Sequence, residues 1–230
     1  MIAAPMTGLP KKKRFVEKYL DPASRLGEIL FGLIMVLCVT LTAGLTAADG
    51  KEGARQLLQA ALGCNIAWGI IDAIMYIMNC MTGRAEKARL IRAIRAASDP
   101  NAALQIVRTE IEPRFETLAA PADREALSRS IVEYLGHGEP VKTTVTKEDV
   151  YGALACFWLV VLSCLPAAAP FLIFSNPTLA LRVSNALLIA MLFVVGQMWA
   201  QYVNTSRLAA GLMMVAVGLA LVGVAILLGG

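Results

Sequence analysis

Five long apolar runs, roughly 26–48, 57–81, 151–174, 179–201 and 206–229, alternate with polar breaks along the chain. About 20 apolar residues in a helix cross the hydrocarbon of a bilayer, so each run predicts one membrane-spanning helix. The short breaks carry turn chemistry: Asp49-Gly50-Lys51 after the first run, Ser175-Asn176-Pro177 between the third and fourth, and Asn204-Thr205-Ser206-Arg207 between the last two.

The one long polar stretch, 82–149, predicts three short helices. The first covers 84–97, with Leu90, Ile91 and Ile94 on one face. Asp99-Pro100 reads as an N-cap followed by proline at the first helical position. It opens a second helix carrying Leu104, Ile106, Val107 and Ile111, whose end Pro113 disturbs. The third starts near Pro121, turns Leu127, Ile131 and Tyr134 inward and stops at Gly136. Thr146, with Asp149 three residues on, reads as a cap for the third span. The pattern is that of an all-α polytopic membrane protein with five transmembrane helices and a small helical cytoplasmic domain between helices two and three. Its parts are a basic segment over 1–25, helices one and two over 26–81, the domain over 82–149, and helices three to five over 150–230. So small a domain makes little core alone and is expected to lean on a partner chain or the membrane.

Composition agrees: 57% of the 230 residues are hydrophobic and 17% charged, where a soluble domain carries about a quarter charged. The basic residues give an orientation. With the amino terminus inside, that side holds Lys11, Lys12, Lys13, Arg14, Lys18, Arg25, eleven Lys/Arg in 82–149, and Arg207. Only Lys51, Arg55 and Arg182 fall outside, eighteen against three, which predicts a cytoplasmic amino terminus and an outer carboxyl terminus. A bacterial inner membrane is the expected location, and a cleaved signal peptide fits poorly because the first run is too long for one. The net charge of +4 follows this membrane pattern, so no nucleic-acid partner is expected. No Ser–His pairing, phosphate loop or metal motif suggests an enzyme. Cys38, Cys64, Cys80, Cys156 and Cys164 all lie in apolar runs without CxxC spacing and read as small buried residues. His137 stands alone between Gly136 and Gly138.

Ionisable groups inside spans are costly unless they face protein or water, which makes them functional candidates. Glu28 lies in the first turns of span one and Asp72 inside span two. From Asp72, Asn65, Met75 and Asn79 follow at helical spacing; from Glu28, Gly32 and Met35 do. Carboxylates with thioethers suit a partly dehydrated Fe²⁺ or Mn²⁺, hard oxygen meeting the charge and softer sulfur selecting. The candidate metal residues are therefore Glu28, Asp72, Met35, Met75, Asn65 and Asn79, and no bound cofactor is expected beyond the cation itself. The two carboxylates differ by about two helical turns in depth, which suits successive stations. The plainer alternatives are an interfacial Glu28, a structural Asp72 bonded to Asn65, and methionines that only pack. Pro166 and Pro170 bend span three and either open a cavity or merely kink it. In span four, Arg182 is expected to snorkel. Gly211 and Gly218 on span five permit close packing.

The layout resembles the vacuolar iron transporter family over roughly residues 24–229. Gly152-Ala153-Leu154-Ala155 leading to Pro166-Ala167-Ala168-Ala169-Pro170-Phe171 is similar to that family's proline-bearing run. Phe31-Gly32-Leu33-Ile34 resembles its span-one element, and Ala61-Leu62-Gly63 through Asp72 its span-two stretch ending in a carboxylate. The resemblance implies export of Fe²⁺ or Mn²⁺ from the cytoplasm, with possible coupling to protons, and a homodimer in the lipid bilayer. It places the family's span-one acid at Phe31, where Glu28, one turn earlier on the same face, is the nearby substitute. The family's inter-span domain is rich in metal-collecting glutamates, whereas here 82–149 has eleven acidic and eleven basic residues. Arg84, Lys87, Arg89, Arg92 and Arg95 suit anionic lipid headgroups better than cations. Glu110, Glu112 and Glu116 are a candidate acidic cluster or a solvated face. Two other readings stay open: a non-transporting membrane scaffold, and a transporter of a different solute.

Overall fold

The computed structural model describes residues 15–46, 50–114, 117, 119–137 and 141–228. Lys11, Lys12, Lys13, Arg14, Asp49, Glu116 and Gly138, and the predicted ends of spans one and five, lie outside them. The described residues are helical with no strand: α1 (Phe15–Tyr19), α2 (Pro22–Thr46), α3 (Gly50–Arg95), α4 (Pro100–Glu110), a 3-10 turn (Glu112–Arg114), α5 (Pro121–His137), α6 (Lys147–Ser163), α7 (Leu165–Ile173), α8 (Pro177–Val203) and α9 (Arg207–Leu227). Five spans are long and apolar enough to cross a membrane: Pro22–Leu41, Glu52–Arg95, Lys147–Ile173, Pro177–Val203 and Arg207–Leu227. The chain is thus a multi-pass membrane protein, divided by packing into Met1–Tyr76 with Lys147–Gly230, and Ile77–Thr146.

In the first unit α2 is central, packing against α6, α8 and α9. Leu33, Val36 and Leu37 of α2 meet Leu188, Leu192 and Val195 of α8, with Cys164, Ala167 and Val222 closing the core. Thr40 Oγ1 donates to Asn185 Oδ1 at 2.7 Å across the same seam. Gly196 and Gly211 let α8 and α9 cross backbone to backbone; a Cβ on Gly196 would stand 2.8 Å from Gly211 Cα. Asn176 caps α8, its side chain accepting from Leu179 N–H at 3.2 Å. Asn204 closes that helix in the left-handed region at φ 50°, and Ser206 then caps α9. Arg182 is exposed.

Two element boundaries depart from the sequence pattern. Span two and the first predicted domain helix are one uninterrupted α3, because Gly83 is the one weak helix former between them and costs only about 1 kcal/mol. Span three, read as continuous, breaks at Cys164 into α6 and α7. Pro166 has no N–H to donate and its ring crowds the preceding turn. The chain tightens there, Ala167 N–H reaching Cys164 carbonyl at 3.1 Å.

In the second unit Ile91, Ile94, Ala103, Val107 and Leu135 form a small core. Asp99 caps α4 as expected, Oδ1 accepting from Asn101 N–H at 2.8 Å and Ala102 N–H at 2.9 Å. The inward face of α5 keeps Ile131 against the core as expected but differs from the expected one at its other two positions. Ser128 and Leu135 are buried, while Leu127 is 40% and Tyr134 76% exposed. A run of 17 residues with few apolar positions fixes its facing only through neighbours, here the core that takes Leu135, Ile131 and Val132, with Glu125 pairing beside it to Arg108 of α4 and to Arg129.

Candidate metal-ion site

The polar residues inside the spans sort into clamps and one acid pair. Asn65 is fully buried, its Nδ2 donating to Gly32 carbonyl and Val160 carbonyl at 3.3 Å each. It therefore ties α3 to α2 and α6 in place of lining a path with Asp72. Gly32 makes the approach possible, because a Cβ there would overlap Ser163 Oγ. Ser163 in turn donates to Val160 carbonyl at 2.7 Å. Immediately before Gly32, Phe31 meets Trp68 edge-on with ring centroids 5.3 Å apart, so the position where the resemblance expects an acid holds helix packing.

Glu28 on α2 and Asp72 on α3 are both half-buried, and their carboxyl groups lie within hydrogen-bonding reach of one another. Cys156 of α6, 1% exposed, also lies within hydrogen-bonding reach of Glu28. Asp72 Oδ2 is buried without a hydrogen-bond donor among the described residues. Successive stations two turns apart are thus corrected to adjacent acids. The depth estimate took the apolar limit near 81 as the membrane edge, but α3 has no break there. Two like charges in contact repel, and a shared cation or proton between them removes the repulsion.

The remaining candidates stand apart. Met35 is half-buried two turns along α2 from Glu28, Met75 is 51% exposed, and Asn79 is exposed in the second unit. Among the described residues no three His, Cys, Asp or Glu side chains gather as a metal cluster. Glu112 pairs with Arg124 at 3.8 Å, Glu110 is exposed, and His137 Nδ1 lies 2.9 Å from its own helix's Glu133 carbonyl. In the basic stretch Arg84 is occupied with the Thr144 carbonyl at 3.1 Å, while Lys87, Arg89 and Arg92 have exposed side chains. The sequence pattern missed Cys156. Its one signal was the run of small residues Gly152, Ala153 and Ala155 ahead of it, which brings α6 close to its neighbours.

Residues 80–230 match a family model, that of the VIT family. The match takes in spans three to five and leaves Glu28 and Asp72 outside it. No curated protein matches the chain.

Proposed function

The chain belongs to the VIT family, the vacuolar iron transporters, a family of membrane metal-ion transporters, and from that premise we propose that it exports Fe²⁺ or Mn²⁺ from the cytoplasm in exchange for protons. The observation that carries the reading is the meeting of Glu28 and Asp72 from two different spans, with Asp72 Oδ2 left without a donor. Two carboxylates match the charge of a divalent ion, and their hard oxygens suit Fe²⁺ and Mn²⁺. The ion enters from the cytoplasm past Glu28, rests between the two acids, and leaves outside. A proton arriving on either carboxyl weakens the hold on the cation and so couples release to proton movement.

Asp72→Asn keeps the shape and removes one charge. It is expected to reduce pH-driven Fe²⁺ or Mn²⁺ uptake into proteoliposomes to background; uptake equal to the parent chain's disproves the pathway. Competition among Fe²⁺, Mn²⁺, Zn²⁺ and Ca²⁺ in the same vesicles ranks the cargo. A homodimer belongs to this reading, supported by the family and by span two, the least buried of the five within one chain. Docking on anionic headgroups rests on Arg84, Lys87, Arg89, Arg92 and Arg95, of which Arg84 also donates to the Thr144 carbonyl and Arg92 to the Ala88 carbonyl.

A further inference from the structure

Helix α1 has five residues, too few to hold a helix by its own hydrogen bonds. Its position is therefore set by what it touches. Leu20, just after it and 5% exposed, is buried with Ala155 and Cys156, and Val16, Tyr76 and Leu159 close around them. Tyr76 Oη donates to Tyr19 carbonyl at 3.1 Å. The ring of Tyr151 lies 5.8 Å from that of Tyr19 and 6.2 Å from that of Phe15. Gly152 leaves room for this, since a Cβ there would overlap the Tyr76 ring.

What lies beneath these contacts is the acid pair. Cys156 neighbours Glu28, and Tyr76 follows Asp72 by one turn on the same face of α3. One order repeats three times: from Leu20 just before α2 to Glu28, from Tyr76 to Asp72 on α3 and from Tyr151 to Cys156 on α6, the α1 contact comes first and the site residue follows further along the helix. We propose that α1 is a lid over the cytoplasmic mouth of the Glu28–Asp72 pair, latched by the Tyr76 hydroxyl on the Tyr19 carbonyl. This rests on the transport reading for its purpose, though not for its test.

The fastening suits a part that opens. Besides the packing of Leu20, Val16 and the rings, the contacts on α1 include the Tyr76 bond and Glu17–Arg25 at 3.5 Å, an ion pair with both side chains partly exposed. Helix α2 keeps its cap without α1, because Asp21 Oδ1 accepts from Ala23 N–H at 2.9 Å and Ser24 N–H at 3.1 Å. The hinge is thus Leu20-Asp21, and swinging α1 away leaves α2 satisfied. With α1 down, Leu20 and Tyr76 bar the approach; with it up, Cys156 and the acids face the cytoplasm.

Cys156 reports the motion directly. The full chain in lipid nanodiscs is treated with a small charged methanethiosulfonate, and modification is followed residue by residue by mass spectrometry. Tyr76→Phe, which keeps the ring and removes the latch, is expected to raise the Cys156 rate about fivefold, the size of one net hydrogen bond. Leu20→Ala is expected to raise it further, while Cys164, 2% exposed and outside the lid's contacts, keeps its parent rate. Unchanged Cys156 rates in both variants, or equal acceleration at Cys164, overturn the lid. No cation enters the measurement, so its failure is distinct from failure of the Asp72→Asn transport test.

Discussion

At Gly32 three spans come so close that a methyl group has no room. Asn65 answers two backbone carbonyls there, and Ser163 fills the remaining gap. Gly32→Ala is expected to destabilise the bundle by about 1–3 kcal/mol, the usual cost of overpacking. Thermal unfolding of the purified chain in detergent measures it, with Gly27→Ala, which meets nothing within 4 Å, as the near-neutral comparison. A parent-like melting curve for Gly32→Ala refutes the tight crossing. Asn65 also shows the limit of reading a residue by its spacing. Helical period placed it on the Asp72 face, which holds, but period carries no information on what the neighbouring helix offers. Two carbonyls from α2 and α6 took the amide, and a reading based on one helix had no means of seeing them.

At the scale of elements, ends marked by side-chain chemistry were legible and ends set by context were not. Asp99-Pro100 announces a helix start, because an oxygen positioned to accept an early N–H works the same way in any surroundings, and the same chemistry at Asn176 and Ser206, read in the sequence only as turns, caps α8 and α9. Gly83 and Cys164 were harder: a glycine inside strong helix formers leaves α3 whole, and a proline two residues on breaks α6 from α7. The facing of α5 depended on the core that takes Leu135 and on the α4 contact of Glu125, whose carboxyl the Arg108 and then the Arg129 guanidinium hold below its ordinary value of 4.5. A depressed carboxyl stabilises the fold above its unfolded value and loses that contribution as pH falls through the folded one. Hydrogen-exchange protection across 100–137 is therefore expected to be level above about pH 4.5 and to fall below it. In Glu125→Gln the protection is lower at neutral pH and its acid-side fall shallower; an acid limb as steep as the parent's excludes this role.

For the whole molecule, five spans were readable because a bilayer tolerates no unsatisfied backbone, so hydrophobic length alone nearly dictates structure. The meeting of Glu28 with Asp72 was not, because it depends on how two helices cross. The basic residues imply a sidedness that labelling can check. Ser175→Cys in the α7–α8 turn is expected to react with an impermeant maleimide on intact cells, and Thr205→Cys in the α8–α9 turn only after permeabilisation; the opposite pattern inverts the orientation.

The junction at Gly32, Asn65 and Val160 binds α2, α3 and α6 at one level, about two turns from Asp72 on the side away from α1. Rods pinned at one height behave as levers about a fulcrum. A tilt of any one of the three at that height must carry the other two with it or give up one of the two Asn65 bonds.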